Sequence, residues 1–317
     1  VSALHGPYEW HPAADDHLLA RACTDARAGL YLTAGEAMRG CWTDMQVRAH
    51  RSLVLASEMA GSDLAERWLE ESPGPDAALI WARVATIRAL RAADASDSRT
   101  PALRKIALAA CAHASEVAPE DPTPWVVRLA LARLEQHRDA APPYATLTSP
   151  AGPWRLFGHI LKMDPWHREA HHRFLATFFT RYGGSAGAAW DVVAFLAARA
   201  PETSVLRMLP LVVLVETYNP STPLADRVWE EPQWRDVALR GFEAWFPLVD
   251  ECRYRPVVDL GHLAHALLMA RCAPQAKAVL RAMEPYASRM PWSTFGPPEI
   301  ELSRARRACR LAAQVGN

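Results

Sequence analysis

The sequence predicts an all-α protein made of antiparallel helix pairs. Alanine, leucine and arginine dominate the 317 residues, apolar positions recur at helical spacing, and no convincing pair of β-strands is found. Against 15 glycines stand 25 prolines, most of them between apolar-periodic segments. One phrase also recurs: an apolar helix end, a proline break and a new amphipathic helix. It is read in WLEESPGPDAALIWARVATI, ASEVAPEDPTPWVVRLALARL, GHILKMDPWHREAHHRFLATFF and AFLAARAPETSVLRMLPLVVLV.

In chain order the periodicity places helices at 14–31, 35–60, 63–72 and 76–92, then at 101–117, 123–137, 153–163 and 166–181. Further helices follow at 186–199, 203–217, 232–246, 256–271, 274–287 and 298–314. Pro73, Pro119, Pro165 and Pro201 punctuate the series at separations of 46, 46 and 36 residues. Proline drives the preceding residue out of the helical region and pre-sets the backbone for a new start, so a repeating break implies repeating helix pairs. RDAAPPYATLTSPAG at 138–152 and YNPSTPLADRVWEE at 218–231 read as loops. In RYGGSAGAAWD, Gly183 and Gly184 can close one helix at positive φ, and the Ser185 hydroxyl can cap the next. The alternative use of that turn is an anion held by its backbone N–H groups, with Arg181 assisting.

These breaks resemble the tetratricopeptide-repeat family of 34-residue helix pairs, most closely at Arg168 to Pro201 and Leu260 to Pro285. Phe174, Leu175 and Phe178 fall where that family packs its first helix, and Ala189, Val193 and Leu196 where the second packs back. Leu263, Ala264 and Leu267, then Ala276 and Leu280, play the same parts in the later unit. The resemblance implies a right-handed solenoid or compact α-α superhelix over 61–317, with 1–60 as an N-terminal helical segment packed on it, in one continuous domain. It also implies a concave face lined by the first helix of each pair. Here that face would hold Glu169, His172, Ala176, Phe179 and Thr180, beside Arg181, and later Val258, Gly261, His265, Leu268 and Met269. A looser likeness is to bacterial proteins with a similar arginine-aromatic-Gly-Gly-Ser turn. Stacked pairs must bury apolar faces against one another. Trp68, Trp81, Trp125, Trp166 and Trp190 are the expected core tryptophans, while Trp10, Trp42, Trp229, Trp234, Trp245 and Trp292 are left to cover the rest or line a pocket.

Lysine plus arginine and aspartate plus glutamate both number 35, without a long block of one sign. Nucleic acid and anionic membrane are therefore not the expected partners, because each needs a concentrated basic field. Six scattered cysteines have no zinc-finger spacing and read as reduced thiols. No secretory pattern opens the sequence and no apolar run approaches the roughly twenty residues of a membrane span, so the expected location is the cytoplasm.

His167, Glu169, His171 and His172 crowd one helix start. His167 and His171 share a face four residues apart, and Glu169 with His172 forms an E-x-x-H pair of the kind di-metal bundles use. Asp259, His262 and His265 repeat the spacing on a later helix. Such a bundle wants four carboxylates and two histidines from four helices, and two helices here carry half-motifs, so no metal or other cofactor is expected. Nucleophile and phosphate-loop signatures are absent. The sequence thus reads as a non-catalytic scaffold binding a protein or peptide through Glu169, His172, Phe179, Thr180, Arg181, His265 and Met269. The alternative is a helical enzyme or small-molecule-binding protein with a His/Glu site in a central cavity.

Overall fold

The computed structural model describes residues 8–135, 139–140, 150–222 and 225–315, the last six as backbone alone. Among them the secondary structure is helical, apart from isolated bridges at Glu9–Tyr286 and Asp139–Gly152. No helix is long and apolar enough to cross a membrane. The chain divides into two compact units, Asp16–Val192 and Val193–Asn317 with Val1–Asp15. Neither limit falls at the expected 60/61 boundary.

The first unit contains α1 (His17–Arg27), α2 (Leu32–Arg39), α3 (Met45–Met59), α4 (Leu64–Glu71), α5 (Pro75–Asp94), α6 (Thr100–Val117), α7 (Thr123–Leu131), α8 (Trp154–Met163) and α9 (Arg168–Ala176). It ends within α10 (Ala186–Arg199). Asp16 caps α1 by accepting the Leu19 N–H at 2.9 Å. The single helix expected at 35–60 is two, α2 and α3, because the Asp44 carboxylate accepts the N–H groups of Gln46 and Val47 and opens a new helix. Most of the loop expected at 138–152 lies outside the described residues.

The proline period is visible in backbone geometry. Ser72, Ala118 and Asp164, each directly before its proline, have φ/ψ of −144°/71°, −137°/74° and −141°/96°. Each donates its N–H to the carbonyl four residues back, closing one helix as the proline turns the chain into the next. The helices after these breaks, α5, α7 and α9, pack in sequence, and α3 packs on α5 and reaches both α7 and α9. α5 and α6 form a long hairpin, joined by five residues and touching at Thr86 and Cys111. α9 packs chiefly on α7, with lesser contacts to α3 and α8.

The second unit holds the remainder of α10, then α11 (Leu209–Thr217), α12 (Pro232–Arg240), α13 (Val257–Met269), α14 (Ala273–Met283) and α15 (Pro298–Val315). The helix expected at 203–217 begins as a 3-10 turn, Val205–Met208, because Pro210 has no N–H to give the helical ladder. That expected at 232–246 changes after Arg240 into a π turn, Gly241–Trp245, and a 3-10 turn, Phe246–Glu251, where Pro247 likewise lacks a donor. A 3-10 turn at Ala225–Glu230 lies in the loop expected at 218–231. α13 is buried around most of its circumference and packs on α11, α12, α14 and α15.

The tryptophans sort differently from expectation. Trp68 is buried, Trp81, Trp125 and Trp190 are half-buried, and Trp166 is 42% exposed. Trp154, Trp229, Trp245 and Trp292 are all buried. A proline junction places Trp166 on the turn itself, outside the helix face that periodicity describes.

Candidate functional site

In the first unit the starts of α5, α7 and α9 meet on a buried polar core. Arg48, on α3, donates from Nε to Asp121 Oδ2 at 2.6 Å and from Nη1 to Asp76 Oδ1 at 2.7 Å, beneath the face of Trp42. The side chains of Arg48 and Asp121 are both 0% exposed. Arg83, on α5, donates to both carboxylate oxygens of Glu169 at 2.9 and 2.7 Å, to Ser52 Oγ and to the Ala49 carbonyl. Gln46 joins α3 to the third junction, donating to Asp164 Oδ2 and accepting the Arg168 N–H. A buried ion pair repays its desolvation only with good geometry and satisfied neighbours, so this network fixes the mutual register of α3, α5, α7 and α9 more than it adds stability.

The expected groove face is mixed, with Phe179, Gly261 and His265 buried and the other expected residues half-buried or exposed. Glu169 lies under Arg83 and Arg173, the latter donating from Nε at 3.2 Å, instead of facing an open groove. Burial opposes its ionisation most strongly, but Arg83, Arg173 and His167 together outweigh it and hold the carboxyl below the usual carboxylate range. His167 caps α9, its Nδ1 accepting the Ala170 N–H, which leaves the proton of the neutral ring on Nε2. His171 Nδ1 pairs with the His167 carbonyl, and its ring packs on Phe157 and Trp166. Burial lowers both imidazoles, His171 to about 4. Each histidine of the i, i+4 pair thus spends its Nδ1 on its own helix, and the buried His167 Nε2 makes no hydrogen bond within the protein. His172 is half-buried on α9, Phe179 is buried, and Thr180 and Arg181 are exposed.

What remains open beside this core is a cleft of about 180 Å³ lined by Arg133, Arg173, Arg181, Tyr182, Ala176 and Thr177, with Leu90 and Ala130 completing its wall. The turn after α9 builds it. Gly183 takes φ +80°, and a Cβ on Gly184 would stand 2.0 Å from the Phe178 carbonyl oxygen, so both positions demand glycine. Ser185 then accepts the Ala188 N–H and caps α10, as the sequence suggests. This closure sets Tyr182 between two cations: the Arg133 guanidinium is 4.2 Å and that of Arg181 4.8 Å from its ring centroid. Arg133 also binds Asp94, while its buried Nε makes no hydrogen bond within the protein. Asp94 pairs with Arg133, and Glu169 is shared between Arg173 and Arg83.

The other sequence candidates belong to the second unit. His265 is buried, not groove-facing: its ring stacks on Phe295 at 4.1 Å and meets Trp229 and Trp292 edge-on at 5.0 and 5.7 Å. Burial, with His262 adding to it, lowers its pKa to about 3. His262 Nδ1 pairs with the Val258 carbonyl, Asp259 is buried, and Met269 is half-buried. Glu169 with His172 and His262 with His265 therefore occupy separate units.

The chain matches no protein-family model, no curated protein and no solved structure. The candidate site rests on its own chemistry. Arg181 was legible in the Gly-Gly-Ser turn, and Arg173 stands four residues after Glu169, a spacing that pairs charges on a helix. Arg133 comes from a distant helix end, and nothing in the sequence marks it.

Proposed function

We propose that the first unit is a helical-repeat interaction module, its pairs α3–α4, α5–α6 and α7–α8 stacked in tetratricopeptide-like fashion, that captures an acidic side chain of a protein or peptide partner in the Arg133–Arg173–Arg181 cleft. The two guanidinium groups against Tyr182, with Arg173 lining the same cleft, carry this reading. Guanidinium forks match carboxylate and phosphate oxygens in pairs, and clustered arginines are a recurring means of recognising acidic motifs. Like charges brought together repel, and a bound anion relieves that repulsion. The volume favours one side chain over a free metabolite, since small-molecule pockets typically span about 300–1,000 Å³. The buried polar core supports the reading by holding Arg173 in place through Glu169 and Arg83.

Fluorescence anisotropy with a labelled glutamate-rich peptide and its glutamine counterpart tests this directly. Wild type should bind the glutamate peptide more tightly, with affinity falling as salt rises. Arg133→Gln with Arg181→Gln should weaken it at least about tenfold, the scale of one lost charge-assisted hydrogen bond. Equal affinity for both peptides would contradict the proposal.

A further inference from the structure

The second unit contains a larger cavity, of about 400 Å³, between the end of α10, the turn before α11 and the α12 π turn. Its construction depends on a close approach. A Cβ on Gly241 would lie 2.4 Å from Met208 Sδ, so the end of α12 closes tightly on the Val205–Met208 turn. That approach brings Arg240 and Arg207 to the same cavity. The π turn follows at once and supplies Trp245, a buried ring, to the wall; Pro210 and Val237 add further apolar surface.

Among its described residues the unit holds both paired and unpaired arginines, and the cavity has two of the unpaired. Arg255, Arg271, Arg304 and Arg306 each have a carboxylate partner. Among the described residues neither Arg207 nor Arg240 is in an ion pair or hydrogen bond made by its side chain, and both are exposed. One acid, Glu202, also lines the cavity, and the Ser204 hydroxyl is committed to the Leu206 N–H. Two cations, one anion and an indole wall describe a site for a molecule with one negative head and a flat apolar body.

We infer that this cavity binds a small monoanionic carboxylate with an aromatic or similarly flat apolar group. The arginines take the carboxylate, Trp245 and Pro210 pack the apolar body, and Glu202 disfavours a second negative charge. This site is independent of the acidic-peptide cleft, which lies in the other unit.

Isothermal titration calorimetry with phenylacetate, its neutral analogue phenylacetamide and the dianion phthalate provides the test. Phenylacetate should bind saturably at one site, and at least tenfold more tightly than either alternative. Arg207→Gln with Arg240→Gln should reduce phenylacetate affinity at least tenfold while far-UV circular dichroism and melting stay unchanged, since neither side chain holds another residue. Ala198→Phe, which keeps every charge and fills the cavity from its exposed lip, should abolish binding. The Arg133→Gln, Arg181→Gln protein should bind phenylacetate as wild type does, separating this site from the peptide cleft. No saturable phenylacetate binding, equal affinity for phenylacetamide, or full binding by the Arg207/Arg240 or Ala198→Phe variant would overturn the inference.

Discussion

In the first unit, helices that begin at successive proline junctions are pinned to α3 and α5 by buried charge; in the second, α13 is wrapped by aromatic rings. Arg48 and Asp121 are wholly buried and meet at 2.6 Å. Among the described residues of the second unit, by contrast, the arginines in ion pairs are all at least 23% exposed, and the centre is His265 among Trp229, Trp292 and Phe295. Directional charge contacts fix a register, because a shifted helix would strand a buried ion. Ring contacts fill volume and tolerate small rearrangements. A unit held in register is suited to presenting several arginines at a fixed spacing, and the arginine cleft is in that unit.

The largest effect that would break this contrast comes from Asp121. Asp121→Ala leaves Arg48 buried without its main partner and should cost about 3–5 kcal/mol in urea unfolding, whereas Arg271→Ala, at an arginine 82% exposed, should cost less than about 1 kcal/mol. Similar costs for the two would remove the distinction between buried and surface charge.

Acid provides the next test, and it should affect both units. An unfolded imidazole titrates near 6.5, while folded His171 and His265 titrate near 4 and 3. Because burial depresses these folded values, the unfolded chain takes up protons first. Stability is complete above about pH 6.5 and is lost as pH falls toward the folded values, by on the order of 3 kcal/mol for each site. Glu169, also depressed, adds a loss that begins below about pH 4.3. His171→Phe should flatten the melting profile between pH 6.5 and 4 in proportion to its share. An unchanged profile would contradict the assignment of a buried neutral ring.

Gly184→Ala comes third. Its Cβ would collide with the Phe178 carbonyl, so it should cost about 1–3 kcal/mol and reduce acidic-peptide binding by displacing Arg181 and Tyr182. The smallest effect on stability belongs to Arg181→Gln, an exposed site, at under about 0.5 kcal/mol. Its loss should appear in peptide affinity, separating recognition from folding.

The sequence made the helical class and the proline junctions legible because both are local. Proline acts on its own neighbours, and the same geometry recurs before Pro73, Pro119 and Pro165. Capping by Ser185 was equally local. The buried charge pairing was not legible: Arg48 and Asp121 are 73 residues apart and Arg83 and Glu169 are 86, distances at which a single sequence carries no pairing signal. The resemblance to tetratricopeptide repeats implied that Glu169 and His265 face a groove, but it gives a helix face and not what covers it. The arginine cleft was half visible, through Arg181, while Arg133 and Tyr182 became partners only through packing.

The central claim concerns three arginines acting as one receptor. Arginine side-chain Nε–Hε resonances, observed by heteronuclear NMR during titration with the glutamate-rich peptide, test it most directly. Signals of Arg133, Arg173 and Arg181 should move together along one saturation curve, with the exposed Arg99 as an unmoved reference. Movement of none of the three, or saturation at a separate set of arginines, would contradict it.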